Sequence, residues 1–202
     1  ICLKPVHVKV AGGYIFISLA QNPPAIDEFL ATLARDGVSF LFAWEIMAIS
    51  AYFLVSTEDE KREVSEAGTL YLITTHIATL GLFALFSLLN LLDGAWLFPA
   101  TGALDASSPL ATAVFLTALF GFGIKAGIFP FHFWLPVAHA AAPSHVSSFM
   151  SGVLIKMGIL GLVRMLSWIP DPPLWWGSLL VVLGAVSGIL GVAFALGQHD
   201  LK

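Results

Sequence analysis

Five runs of about twenty residues in this chain, at 37–56, 67–92, 109–129, 146–169 and 175–196, are almost wholly apolar. That is the length an α-helix needs to cross roughly 30 Å of hydrocarbon. Hydrophobic residues make up 58% of the 202 positions and charged residues 11%, against roughly one half and one quarter in soluble domains. Mean hydropathy is +0.90. A soluble fold of this size could not hide such runs without exposing aggregating patches, so the length counts spans rather than globular domains. Backbone exposed to lipid must satisfy its hydrogen bonds within the segment, and barrel strands would alternate over about ten residues instead. The expected fold class is therefore all-α, a polytopic transmembrane helix bundle.

Several function classes fall away. A formal charge of −4, spread along the loops, leaves no basic surface for nucleic acid. The single cysteine, Cys2, excludes an intrachain disulfide framework and any Cys-built zinc or iron–sulfur site from this chain alone. No nucleophile elbow, phosphate loop or HExxH pattern occurs. No enzyme site is expected here, so any electrons flow in other subunits. Residues 1–36 are unassigned, because QNPPAIDEF and ARDG interrupt their apolar run; a short amphipathic helix at 25–35 is the one element expected there. The chain starts without methionine and ends on QHDLK just after a span, which reads as a fragment. Lys61 and Arg62 are the one adjacent basic pair, which places the 57–66 loop in the cytoplasm and the 93–108 loop outside. Gly184, Gly188 and Gly191 put small residues at near one-turn spacing in the last span, as helix packing in a bundle requires.

Against this background the intramembrane charges stand out. Glu45 lies near the middle of the first span, where an ionised carboxylate costs at least a few kcal/mol unless it faces a polar partner or water. Burial and a nearby ammonium act on such a group in opposite senses, so a balanced carboxylate can load and unload a proton. Lys125 and Lys156 are its natural partners. Lys125 falls toward the end of its span, where a lysine can snorkel to the interface, yet AGIFPFHFW follows it with no charge. Lys156 has about ten apolar or small residues on each side and is expected near the midplane, beyond easy snorkelling. A carboxylate with two such lysines makes a coupled set of titrating sites.

Pro130 and Pro136 follow Lys125 closely, and each lacks an amide donor. A straight helix over 109–142 would exceed about 45 Å, so a discontinuous span is expected, broken across 130–142. Unwound backbone within a membrane persists only where protein buries it or water reaches it, and its free carbonyls can hold ions or protons. His132 sits inside the break, with His139 and His145 beyond it and His76 in the second span. Histidine titrates near neutrality, which makes His132 a candidate for the proton pathway and His76 and His139 secondary candidates. A metal site is not expected, because HFWLPVAH separates His132 from His139 by seven positions with no nearby carboxylate or cysteine.

The stretches FLFAWEIMAISAYFLV and GFGIKAGIFPFHFWLPVAHAAAPSHVSSFMSGVLIKMGILGLVRM, with the closing QHDLK, resemble the antiporter-like membrane subunits shared by respiratory complex I, Mrp-type cation/proton antiporters and group 4 hydrogenases. Within that family they look most like the large membrane subunit of hydrogenase-4 and formate hydrogenlyase. The resemblance covers about 37–202. It implies a bundle of about fourteen helices built from two inverted repeats, of which this chain would supply the fifth to ninth. Matched by motif, Glu45 takes the place of the family's glutamate on the fifth helix, Lys125 that of its partner lysine on the broken seventh, and Lys156 that of the central lysine or histidine on the eighth. The resemblance implies proton translocation through a half-channel of a redox-driven complex in a prokaryotic cytoplasmic membrane. Other membrane subunits and a peripheral redox arm would be its partners, any iron–sulfur, nickel–iron or flavin centres would lie in those partners, and the second half-channel would lie beyond Lys202. An Mrp-type sodium or potassium/proton antiporter subunit and a purely structural membrane subunit are the alternatives. Two departures are visible: Val137 stands where many relatives carry an acidic residue, and the segment before Arg35 is polar where an apolar helix is implied.

Overall fold

A few polar and glycine residues decide where the apolar runs become helices. The computed structural model describes residues 7–11, 14–18 and 35–196. The short helix expected at 25–35 falls almost entirely outside them, as does the closing QHDLK. Asp36 caps α1 (Gly37–Val55), its Oδ2 accepting from the Ser39 amide at 2.8 Å and the Ser39 hydroxyl at 2.6 Å. Helix α2 (Arg62–Asp93) ends where Gly94 turns left-handed, at φ 70°. Helix α3 (Pro109–Ala126) starts from a Ser108 cap with Pro109 in its first turn, and it stops at Gly127, φ 67°. After a 3₁₀ turn at Phe131–Phe133 comes α4 (Trp134–Ala141). The fourth span comprises α5 (Ser144–Phe149), a π-helical turn at Met150–Leu154 and α6 (Ile155–Ser167). Helix α7 (Leu174–Leu196) closes the described chain.

Five helical segments are long and apolar enough to cross a membrane, with α3 to α4 forming one bent span over Pro109–Ala141. From Gly37 to Leu196 the all-α, polytopic and discontinuous architecture is thus the observed one. In the previously unassigned N-terminal stretch an antiparallel pair, β1 (His7–Ala11) and β2 (Tyr14–Ser18), aligns His7 with Ser18 and Ala11 with Tyr14. Helix α2 begins five residues before the apolar run at 67, because an Arg62–Glu66 pair at 2.7 Å and Glu63 in the first turn carry the helix out of the apolar zone.

Helix α3 is the axis of the bundle, packed between α2 on one side and α6 on the other. The stripe Tyr71, Thr75, Ala78, Leu82 and Leu85 on α2 repeats every three to four residues and is fully buried. Glycines set the crossings. A Cβ on Gly121 would lie 2.7 Å from Leu82, and one on Gly158 would lie 2.6 Å from both the Phe122 carbonyl and the Ala126 amide nitrogen. At Gly158 the obstacle is backbone, so α6 can approach the end of α3 only without a side chain there.

The loop after α2 ties one end of the bundle together. Gly37 donates its amide to the Trp96 carbonyl at 2.8 Å, and Leu104 donates to the Trp168 carbonyl at 3.0 Å, while Phe98 stacks on Phe86. Outward faces are apolar, including Phe42, Phe53, Leu80, Phe83 and Val163, the reverse of a soluble domain. Helix α7 has little of its surface covered: Trp176 is buried in a stack on Phe115 at 4.3 Å. Nothing in the described chain lies against Gly184, Gly188 or Gly191.

Two predictions follow from this packing. Gly158→Ala should destabilise the protein by about 1–3 kcal/mol, read as a lower thermal midpoint in detergent, and an unchanged midpoint would contradict the close crossing. Asp36→Ala should cost about 1 kcal/mol. The Ser39 hydroxyl holds the Asp36 carboxyl below its ordinary value of 3.8. Its contribution should therefore be complete above that value and be lost as the pH falls through the lower, folded-state value. Midpoints of wild type and variant should differ at neutral pH and converge in acid.

Candidate functional site

Two apolar cores meet at Lys125. One is built around Trp44, Phe115, Phe122 and Trp168, the other around Tyr71, Trp134, Ala138 and Met150. Lys125 stands in the last turn of α3, where free carbonyls favour a cation. It is 0% exposed, so it does not snorkel. Its Nζ donates to the Tyr71 hydroxyl at 2.9 Å. The ammonium also lies 5.0 Å from the centroid of the Tyr71 ring and 5.8 Å from that of Trp44, in cation–π range of both. Trp134 packs edge-on against Tyr71 at 5.4 Å, and its Nε1 donates to the Ile124 carbonyl at 2.9 Å. That bond reaches back across the break and supplies a donor to a carbonyl at the end of α3.

Glu45 follows Trp44 on α1, at the edge of the buried stripe. Its Oε2 lies 3.5 Å from His76 Nε2, with the glutamate side chain 26% exposed and the histidine 51%. Glu45 Oε1 is buried and, among the described residues, has no hydrogen-bond partner. His76 Nδ1 sits 2.8 Å from the Leu72 carbonyl, and since a carbonyl can only accept, Nδ1 carries a hydrogen.

The expected contact between Glu45 and Lys125 is not a direct one. Trp44, the neighbour of Glu45 on α1, occupies the position over the ammonium, so Lys125 donates to Tyr71 while Glu45 faces His76. The carboxylate is nevertheless close enough to act electrostatically on both Lys125 and Tyr71. Lys156 is not part of this cluster. Leu154, Gly158 and Leu162 turn the buried face of its span inward, and Lys156, two positions from both Leu154 and Gly158, points outward and is exposed. It follows directly after the π-helical turn, a local irregularity that is frequent at functional sites.

The break itself begins at Gly127, earlier than the prolines. The Phe129 amide is satisfied by the Ser187 hydroxyl of α7 at 2.9 Å, and Pro130 precedes the 3₁₀ turn. Pro136 does not break a helix: it sits in the first turn of α4, where an amide has no intrahelical partner to lose. His132 is half-buried between Phe129 and Phe194, with Nδ1 buried and unpartnered. His139 Nδ1 is engaged with the Ser147 hydroxyl at 2.6 Å, and His145 is exposed. None of these three hydrogen-bonds to the Lys125 cluster. Among the described residues no group of three or more His, Cys, Asp or Glu converges to hold a metal ion.

Tyr71 and Trp134 are the site residues that sequence reasoning missed. Both look like ordinary apolar-face aromatics at helical spacing; the one usable signal was that a mid-span tyrosine hydroxyl needs a polar partner.

Residues 34–202 match the family model described as NADH:quinone oxidoreductase/Mrp antiporter, transmembrane region. The chain belongs to this antiporter family. It is 41% identical over 181 residues to hydrogenase-4 component B of Escherichia coli K12, an alignment covering 88% of this chain and 27% of that protein. It is 33% identical to formate hydrogenlyase subunit 3 of the same organism, over 85% of this chain and 27% of the relative. A solved structure of respiratory complex I from Thermus thermophilus with bound aureothin contains a chain that superposes with a TM-score of 0.69 at 26% identity, over 84% of this chain and 37% of that one. The antiporter-family chain thus spans about a quarter to just over a third of the length of these relatives.

Replacing a buried charge by an apolar side chain of similar volume is often neutral or stabilising. Lys125→Met should therefore leave the thermal midpoint at or above that of the wild type. A fall of more than about 5 °C would mean that the ammonium is a structural pin.

Proposed function

We propose that this chain forms part of a proton-translocating membrane subunit of a redox-driven complex, in which Lys125, Glu45 and His76 hold and pass protons within the bundle. The observation that carries the reading is the wholly buried Lys125, hydrogen-bonded to Tyr71 beside the Glu45–His76 pair. An ammonium sealed from solvent is energetically exposed to small changes in its surroundings, so movement of a neighbouring charge alters its hold on a proton. The break immediately after Lys125 supplies backbone that can rearrange without melting a whole helix. His132, half-buried in that break with an unpartnered ring nitrogen, is positioned to take up or deliver protons there. Lys156, exposed on this chain beside a π-helical turn, serves as the onward site once further helices of the full-length protein cover its face.

Membership of a family whose relatives include a hydrogenase component and a formate hydrogenlyase subunit supports a place beside other membrane subunits and a peripheral redox arm in a prokaryotic cytoplasmic membrane. The electron-carrying centres then belong to those partners. Their chemistry drives the membrane arm by shifting charge next to it.

The test uses the full-length protein in its complex, in inverted membrane vesicles with a pH-sensitive dye. Glu45→Gln and Lys125→Met should each lower redox-driven proton translocation by at least tenfold while the complex assembles. Translocation at the wild-type rate in both variants would overturn the reading. Translocation that depends on added sodium or potassium would assign the same residues to cation/proton exchange instead.

A further inference from the structure

Tyr71 is a second titratable group buried in the bundle, and the reading just given assigns it no task beyond accepting from Lys125. Its side chain is 0% exposed. An ammonium is a donor only, so the phenol oxygen accepts the 2.9 Å bond from Lys125 and its own O–H hydrogen remains available for another acceptor. A buried tyrosine hydroxyl normally finds such an acceptor. Glu45 Oε1 is buried and has no hydrogen-bond partner among the described residues. His76, where Glu45 now rests, lies five residues beyond Tyr71 on α2. That is about 7.5 Å along the helix axis and about 140° around it.

We propose that the Tyr71 hydroxyl is the link between Lys125 and Glu45, and that the Glu45 carboxylate moves between a station at His76 and a station at Tyr71. This rests on the proton-translocation reading and deepens it. At the Tyr71 station the transfer is a concerted shift of two protons. The Lys125 ammonium breaks one N–H bond and gives that proton to the phenol oxygen, while the phenol gives its original proton to the carboxylate. Lysine ends as a neutral amine, glutamate as a carboxylic acid, and tyrosine is unchanged. No electron moves and no co-reactant is consumed. Swinging back, the protonated glutamate meets His76, which is more exposed than Glu45 and can take the proton toward the surface. Trp44 and Trp134 pack against the ammonium and the Tyr71 ring respectively, and the Tyr71 hydroxyl is the group to which Lys125 donates. Tyr71 is a positioning and relay residue, since it acts through Lys125 and Glu45.

Tyr71→Phe keeps the ring and its packing and removes only the hydroxyl. In the full-length complex, proton translocation per assembled complex should fall at least tenfold. The pH profile of the residual activity should be displaced from that of the wild type, and the thermal midpoint should change little. A packing role predicts a Phe variant with wild-type translocation and profile, and that result overturns the link. A fall matched by an equal fall in assembled complex overturns it as well. Lys125→Met, measured alongside, separates the two levels. If it abolishes translocation while Tyr71→Phe does not, the link fails and the translocation reading stands. If it translocates at the wild-type rate, the translocation reading fails and takes the link with it.

Discussion

A positive charge with no access to solvent governs this structure. The Lys125 ammonium lies where two apolar cores meet, held by one hydroxyl, two aromatic faces and the carbonyl end of a helix. Each of these supports is partial, and desolvation of an ammonium is costly. A site so closely balanced responds to a modest displacement of any neighbour.

The architecture around it follows from that demand. Helix α3 ends inside the bundle at Gly127, two residues after Lys125. Ending a helix in a membrane frees backbone groups that lipid cannot satisfy; the Trp134 indole and the Ser187 hydroxyl answer two of them from α4 and α7. Gly158 then lets α6 close over the end of α3 at backbone contact, which seals water away from the lysine. Glu45 and His76 sit one layer out, partly exposed.

Much of this was legible in the chain. The five spans and the break after Lys125 could be read from apolar length and from glycine and proline placement, and Glu45 and Lys125 could be singled out from the cost of intramembrane charge. What was not legible is mostly a matter of faces. Depth in a span can be counted from either end, but an almost uniformly apolar run does not say which side turns inward. Lys156 has about ten apolar or small residues on each side, yet its outward direction depends on Leu154, Gly158 and Leu162 turning inward. For the same reason the direct Glu45–Lys125 contact did not materialise: Trp44, one residue away, holds the inward position. Tyr71 and Trp134 read as core aromatics because only tertiary structure brings their polar tips to a lysine and to an interrupted helix. Pro136 looked like a breaker because its amide is missing, and only the start of α4 at Trp134 shows that nothing was lost there.

The central claim is that the Glu45 carboxylate receives the proton that Lys125 gives up. Infrared difference spectra of the full-length complex, recorded between its resting and energised states, address this directly. A carbonyl stretching band of a protonated carboxylic acid should appear on energisation, vanish in Glu45→Gln and be lost in Tyr71→Phe. A difference spectrum without such a band, or with one that persists unchanged in Glu45→Gln, would contradict the account.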